Sequence, residues 1–134
     1  PNNPEEEIKN LRRQIRAGAD FFLTQPIYDP TAAREFLNRA LDELGGVIPR
    51  ILMGVLPLSS AKHAAFLHHE VPGIHLTEPI LQRMNEAGEQ SASTGIEIAL
   101  ELIAEMRDVV SGIYLMPAFN RFDYAAEIIE AIKK

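Results

Sequence analysis

No cysteine occurs in the 134 residues, which excludes disulfides, thiolate catalysis and iron–sulfur ligation. Positive charge is scarce. The 13 Lys and Arg stand against 19 Asp and Glu, a net charge of −6, so no nucleic-acid partner is expected, because phosphate binding needs a basic face. The balance still leaves room for an anionic small molecule met by a few well-placed cations. No apolar run approaches membrane-spanning length, and the N-terminus shows no basic-then-apolar signal segment. A cytoplasmic protein without a membrane partner is the expectation. Phosphate-binding glycine loops are missing too: there is neither a G-x-G-x-x-G nor a Walker sequence, and Gly45-Gly46 stands between a helix and a strand, as a helix stop does. What is present is 46% hydrophobic residues with no low-complexity stretch, enough for one globular domain with a core.

The elements alternate. Asn3-Pro4-Glu5-Glu6-Glu7 starts a helix with a cap, a first-turn proline and three acids at the positive helix end. Ile8, Leu11 and Ile15 keep helical spacing, and Gly18 closes the helix. Phe21-Phe22-Leu23 is apolar without alternation, as in a parallel strand covered on both faces. Asp29-Pro30 restarts a helix with Phe36, Leu37, Ala40, Leu41 and Leu44 on one side. A second strand runs from Arg50 to Pro57, and Ser59 or Ser60 caps a helix to about Glu70. A short helix follows from Thr77-Glu78-Pro79 to Gly88, and the polar residues 89–93 read as loop. The longest helix is predicted over Ile96 to Val110, with Ile96, Ala99, Leu102, Ile103, Met106 and Val110 at core spacing. The third strand, Gly112 to Pro117, precedes a final helix capped by Asp123.

Each apolar strand ends in a proline, at Thr24-Gln25-Pro26, Val55-Leu56-Pro57 and Leu115-Met116-Pro117, and a capped helix follows. Three βα units in series imply a parallel sheet with right-handed crossovers. Three such strands make a poor sheet with two open edges, whereas a complete βα barrel needs eight units and about 250 residues. The fold class expected is therefore α/β, the C-terminal portion of a (βα)8 TIM barrel with about three parallel strands and flanking helices, residues 1–134 forming its C-terminal part. A small open three-stranded α/β domain is the alternative.

Ligands of α/β proteins bind at the carboxyl ends of parallel strands. Gln25 lies at such an end, and its amide, both donor and acceptor, suits the edge of a pterin or flavin. It equally suits a backbone group in its own turn. Arg121, in Phe119-Asn120-Arg121-Phe122 just past the third strand, can meet a carboxylate, and Phe119 and Phe122 can stack on a ring or pack beneath the loop. Glu7, Asn10 and Gln14 make a polar stripe along the first helix, ordinarily a solvated face. The histidines at 63, 68, 69 and 75 are expected at the surface, with no metal site.

Four stretches carry a resemblance: Ala17-Gly18-Ala19-Asp20-Phe21-Phe22-Leu23-Thr24-Gln25-Pro26, Gly54-Val55-Leu56-Pro57-Leu58-Ser59-Ser60, Phe66-Leu67-His68-His69-Glu70-Val71-Pro72-Gly73-Ile74, and Tyr114-Leu115-Met116-Pro117-Ala118-Phe119-Asn120-Arg121. With these the chain resembles the methylenetetrahydrofolate reductase family, most closely the reductase domain found joined to a homocysteine S-methyltransferase. The resemblance implies an eight-stranded barrel with FAD on its carboxyl face, passing a hydride from NADH or NADPH to 5,10-methylenetetrahydrofolate. It implies folate contacts at Gln25, Phe119 and Arg121, and flavin contacts at Glu7, Asn10 and Gln14. Gln14 stands where a lysine is expected, and Ala61 where some members place an aromatic that stacks on folate. The family's proton-donating glutamate belongs to the first strand, outside these residues, so no catalytic residue is assigned. The chain alone is expected to be inactive. It is also expected to form a homo-oligomer or to associate with the rest of the barrel. The other reading is a half-barrel that binds a ligand or partner without catalysis.

Overall fold

The computed structural model describes residues 4–46, 50–117 and 122–133. In order the elements are α1 (Pro4–Arg16), β1 (Phe21–Pro26), α2 (Pro30–Glu43), β2 (Arg50–Val55), α3 (Ala61–Glu70), α4 (Glu78–Ala87), α5 (Ser91–Met106), β3 (Gly112–Leu115) and α6 (Phe122–Lys133). The three strands are parallel and lie in the order β1-β2-β3. A doubly wound sheet reverses its strand order partway; this one advances in one direction, which with right-handed crossovers sends the connecting helices to one face. Accordingly α2 packs against both α1 and α5, and α5 against α6.

The core forms between that helix layer and the sheet. Met53 and Val55 point from β2 into a cluster with Ile98, Ala99, Leu102 and Met106 of α5, all buried. Each large apolar side chain buried there contributes about 1.5–3 kcal/mol. Helix starts follow the capping chemistry of the sequence. Asp29 accepts from the Ala32 amide at 3.1 Å and Ser60 from the His63 amide at 3.0 Å.

Several expectations are corrected. Residues 89–93 are not a loop: a single 3-10 turn at Gly88–Gln90 runs straight into α5, which starts at Ser91 and ends at Met106. Small residues stand in the first turns of α5 because the helix approaches a backbone there. A Cβ on Gly95 would lie 1.7 Å from the Leu58 carbonyl oxygen, and Ser91 Oγ donates to the Ser59 carbonyl at 3.1 Å. Leu41 is exposed rather than in the α2 core face, which is carried by Ala40 and half-buried Phe36, Leu37 and Leu44. Asp123 sits within the first turn of α6, not at its cap. Finally, β1 is covered on one face only. Phe21 and Leu23 are 55% and 58% exposed, because the sheet face away from the helices carries no element among the described residues.

Candidate functional site

The carboxyl end of β1 departs from a regular ladder. Phe21, Phe22 and Leu23 pair with Arg50, Ile51 and Leu52, and then Pro26 pairs with Gly54. Three steps on β1 match two on β2, so Thr24 and Gln25 form a bulge. Bulges re-aim side chains and leave ladder groups unpaired, and such groups must find other partners. Here hydroxyls serve. Thr24 Oγ1 accepts from the Gly54 amide at 3.0 Å and donates to the Gln25 carbonyl at 2.8 Å. The Thr24 carbonyl accepts from the Tyr114 hydroxyl, which reaches across from β3. That crossing requires glycine at 54, since a Cβ there would lie 2.8 Å from the Thr24 carbonyl oxygen and 2.9 Å from the Tyr114 hydroxyl.

Gln25 itself is exposed. The backbone work that its amide could have done falls to Thr24, and among the described residues the Gln25 side chain has no hydrogen-bond partner. It faces a cleft of about 670 Å³ between α1, β1 and α2, whose polar lining includes Glu7, Gln14, Asp29 and His75, with Leu11 and Phe36 among the apolar residues. This size and this mostly apolar lining with a few polar groups are those of a small-molecule site. Glu7 and Gln14 also border a shallow recess of about 460 Å³ on α1, together with Asn10 and Arg13. Glu7 and Gln14 thus border both this recess and the Gln25 cleft. Phe119 and Arg121 lie outside the described residues. Tyr28, also on the cleft wall, is buried and donates to the Leu56 carbonyl at 2.7 Å; burial pushes its pKa far above the ordinary value, so it stays a neutral donor.

Two of the four histidines are not the surface residues expected. His63 and His68 are half-buried, and the Nδ1 of each accepts a backbone amide, that of Ser59 at 3.1 Å and that of Leu76 at 3.1 Å. The His68 ring lies 4.8 Å from that of His69 and 4.9 Å from that of His75, yet among the described residues no group of three His, Cys, Asp or Glu could hold a metal ion. No helix among them is long and apolar enough to cross a membrane.

Burial lowers the pKa of His63. The unfolded chain takes up this proton more readily than the folded one, so the contribution to stability is complete above the unfolded value of about 6.5 and is lost as pH falls through the lowered folded value. Protonation of Nδ1 also removes the acceptor for the Ser59 amide. The urea midpoint is therefore expected to fall more steeply between about pH 7 and pH 5 in the native protein than in His63→Asn, whose Oδ1 keeps an uncharged acceptor. Equal slopes would remove His63 from the acid response. The signal for this histidine lay in the Ser59-Ser60-x-x-His63 spacing at a helix start.

A family model described as methylenetetrahydrofolate reductase matches residues 1–133. Methylenetetrahydrofolate reductase 2 of Schizosaccharomyces pombe is 26% identical over 115 residues, which are 82% of this chain and 18% of that protein. Among solved structures, an uncharacterized protein from Clostridium thermocellum that binds two copies of 5-methyl-5,6,7,8-tetrahydrofolic acid superposes with a TM-score of 0.74. It is 17% identical, and the match covers 96% of this chain and 48% of that one. The chain thus spans about half the length of the solved relative and less than a fifth of the curated one.

Proposed function

The chain belongs to the methylenetetrahydrofolate reductase family, and from that premise we propose that residues 1–134 are the C-terminal part of a (βα)8 barrel that reduces 5,10-methylenetetrahydrofolate to 5-methyltetrahydrofolate. The observation that carries this reading is the Gln25 amide, released from backbone duty by Thr24 and exposed beside a cleft at the carboxyl end of a parallel strand. A donor and an acceptor on one planar group match a pterin edge. The folate bound by the solved relative supports the same ligand class.

FAD, with NADH or NADPH as hydride donor, would supply the redox chemistry when bound. The α1 recess has the donor set for its adenosine and diphosphate portion. The Glu7 carboxylate accepts from hydroxyls, Asn10 and Gln14 offer amides, and Arg13 brings a cation to the recess where Gln14 replaces the expected lysine. The chain's own residues bind and orient: the α1 stripe holds one end of the cofactor and Gln25 fixes the pterin plane. Phe119 and Arg121 complete the folate contacts in this reading. In this reading the remaining strands pair at the free edges of β1 and β3, and Phe21 and Leu23, on the face of β1 away from the helices, turn into the barrel interior.

The test compares the 134-residue chain with a complete barrel containing it, by NAD(P)H oxidation with a quinone acceptor and added FAD. Turnover by the complete barrel and none by the chain is expected. A normal enzyme rate from the chain alone would overturn the incomplete-site reading. Full-length protein that neither binds FAD nor reduces folate would favour the half-barrel binding module, to which the same exposed strand face points.

A further inference from the structure

We infer that Tyr114 is a positioning residue for Gln25, acting across the face of β2; the inference rests on Gln25 being a folate contact. β1 and β3 are not neighbours, and β2 lies between them. Tyr114 is paired with Gly54 in the register of β2 and β3, and its hydroxyl passes over that glycine to the Thr24 carbonyl. A shorter hydroxyl side chain on β3 would not reach across a strand, and any side chain on residue 54 would stand in the way.

The consequence falls on Gln25. The peptide before its Cα presents the Thr24 carbonyl, held by Tyr114, and the peptide after it presents the Gln25 carbonyl, held by Thr24 Oγ1. Thr24 is anchored in turn to the Gly54 amide on β2. Both peptide planes that set the backbone of Gln25 are therefore fixed from the sheet, while its side-chain amide is left for a ligand. A residue meant to orient a planar substrate needs its Cα fixed to within about half an ångström by supporting hydrogen bonds. Tyr114 supplies the one bond in this set that comes from a non-adjacent strand. Removing it leaves a half-buried carbonyl without a donor in a bulge that the ladder no longer constrains.

The experiment is Tyr114→Phe in the full-length protein, which keeps the ring and removes only the donor. The expected result is a roughly tenfold rise in KM for methylenetetrahydrofolate, with flavin reduction by NAD(P)H unchanged. The NMR order parameter of the Gln25 amide is expected to fall, and those of α5 to stay in the rigid range. An unchanged order parameter at Gln25 overturns the brace. A fall without any change in KM overturns the positioning role, and so does an equal loss in both half-reactions. A native protein that reduces no folate overturns the folate reading instead; the order parameter then still decides whether Tyr114 holds Gln25.

Discussion

Gly95→Ala is expected to lower the thermal midpoint by about 10 °C, the shift that a loss of roughly 3 kcal/mol produces in a domain of this size. Two effects oppose each other, and their magnitudes decide the sign. Alanine in a helix interior is favoured over glycine by about 1 kcal/mol. Against this, the new methyl would lie 1.7 Å from the Leu58 carbonyl oxygen and 2.7 Å from its carbon. Those are backbone atoms, which cannot rotate aside as a side chain would, so the whole helix must move. α5 carries Ile96, Ile98, Ala99, Leu102, Ile103 and Met106 into the core. A helix displaced by more than an ångström opens voids along that entire face, each costing ~1 kcal/mol or more per lost methyl-sized contact. Overpacking therefore outweighs propensity. The displacement also disturbs the loop that follows β2, because Ser91 and Gly95 both seat on residues 58 and 59. Thermal unfolding followed by circular dichroism checks this. A midpoint at or above the native value would mean that α5 does not approach Leu58 as closely as described.

That contact also shows where sequence reading works and where it stops. The alternation of apolar strands and capped helices is written in local chemistry. Asp29, a serine cap at 59 or 60, and the core spacing of Ile96, Ala99, Leu102, Ile103 and Met106 could be read directly, whereas Val110 lies beyond the end of α5. The start of α5 could not be read in this way, and residues 89–93 read as loop. Ser91-Ala92-Ser93-Thr94-Gly95 has the composition of a loop, and only the three-dimensional approach to Leu58 explains small residues at the start of a long helix. Similarly, Gln25 is conspicuous in the sequence because a polar pair interrupts an apolar strand. Tyr114 is not, because its partner lies 90 residues away and nothing local distinguishes it from a core aromatic. Phe21 and Leu23 read as doubly buried because composition reports what a residue is suited to, whereas their exposure reports which elements are there to cover it.

Gln25→Glu is the substitution whose effect should be largest on chemistry and small on folding. The carboxylate keeps the shape of the amide and its acceptor, and loses the donor. Because the Gln25 side chain has no hydrogen-bond partner among the described residues and is exposed, the thermal midpoint is expected to change by little. In the complete barrel the folate half-reaction is expected to fall roughly 30-fold near neutral pH, equivalent to about 2 kcal/mol for a lost and unreplaced hydrogen bond in a desolvated site. Flavin reduction by NAD(P)H should be unaffected, since only the folate contact is altered. A protonated carboxyl has a donor again. Activity of the variant relative to the native enzyme is therefore expected to recover as pH falls toward the carboxyl's own pKa, ordinarily about 4.3 and raised by contact with a ring that excludes water. Gln25→Ala, with neither donor nor acceptor, should show the loss without the recovery. Stopped-flow measurement of the two half-reactions across pH separates the cases. Parallel pH profiles for the two variants would mean that the donor at position 25 is not what orients the folate, and an equal loss in both half-reactions would make Gln25 part of the bulge rather than of the site.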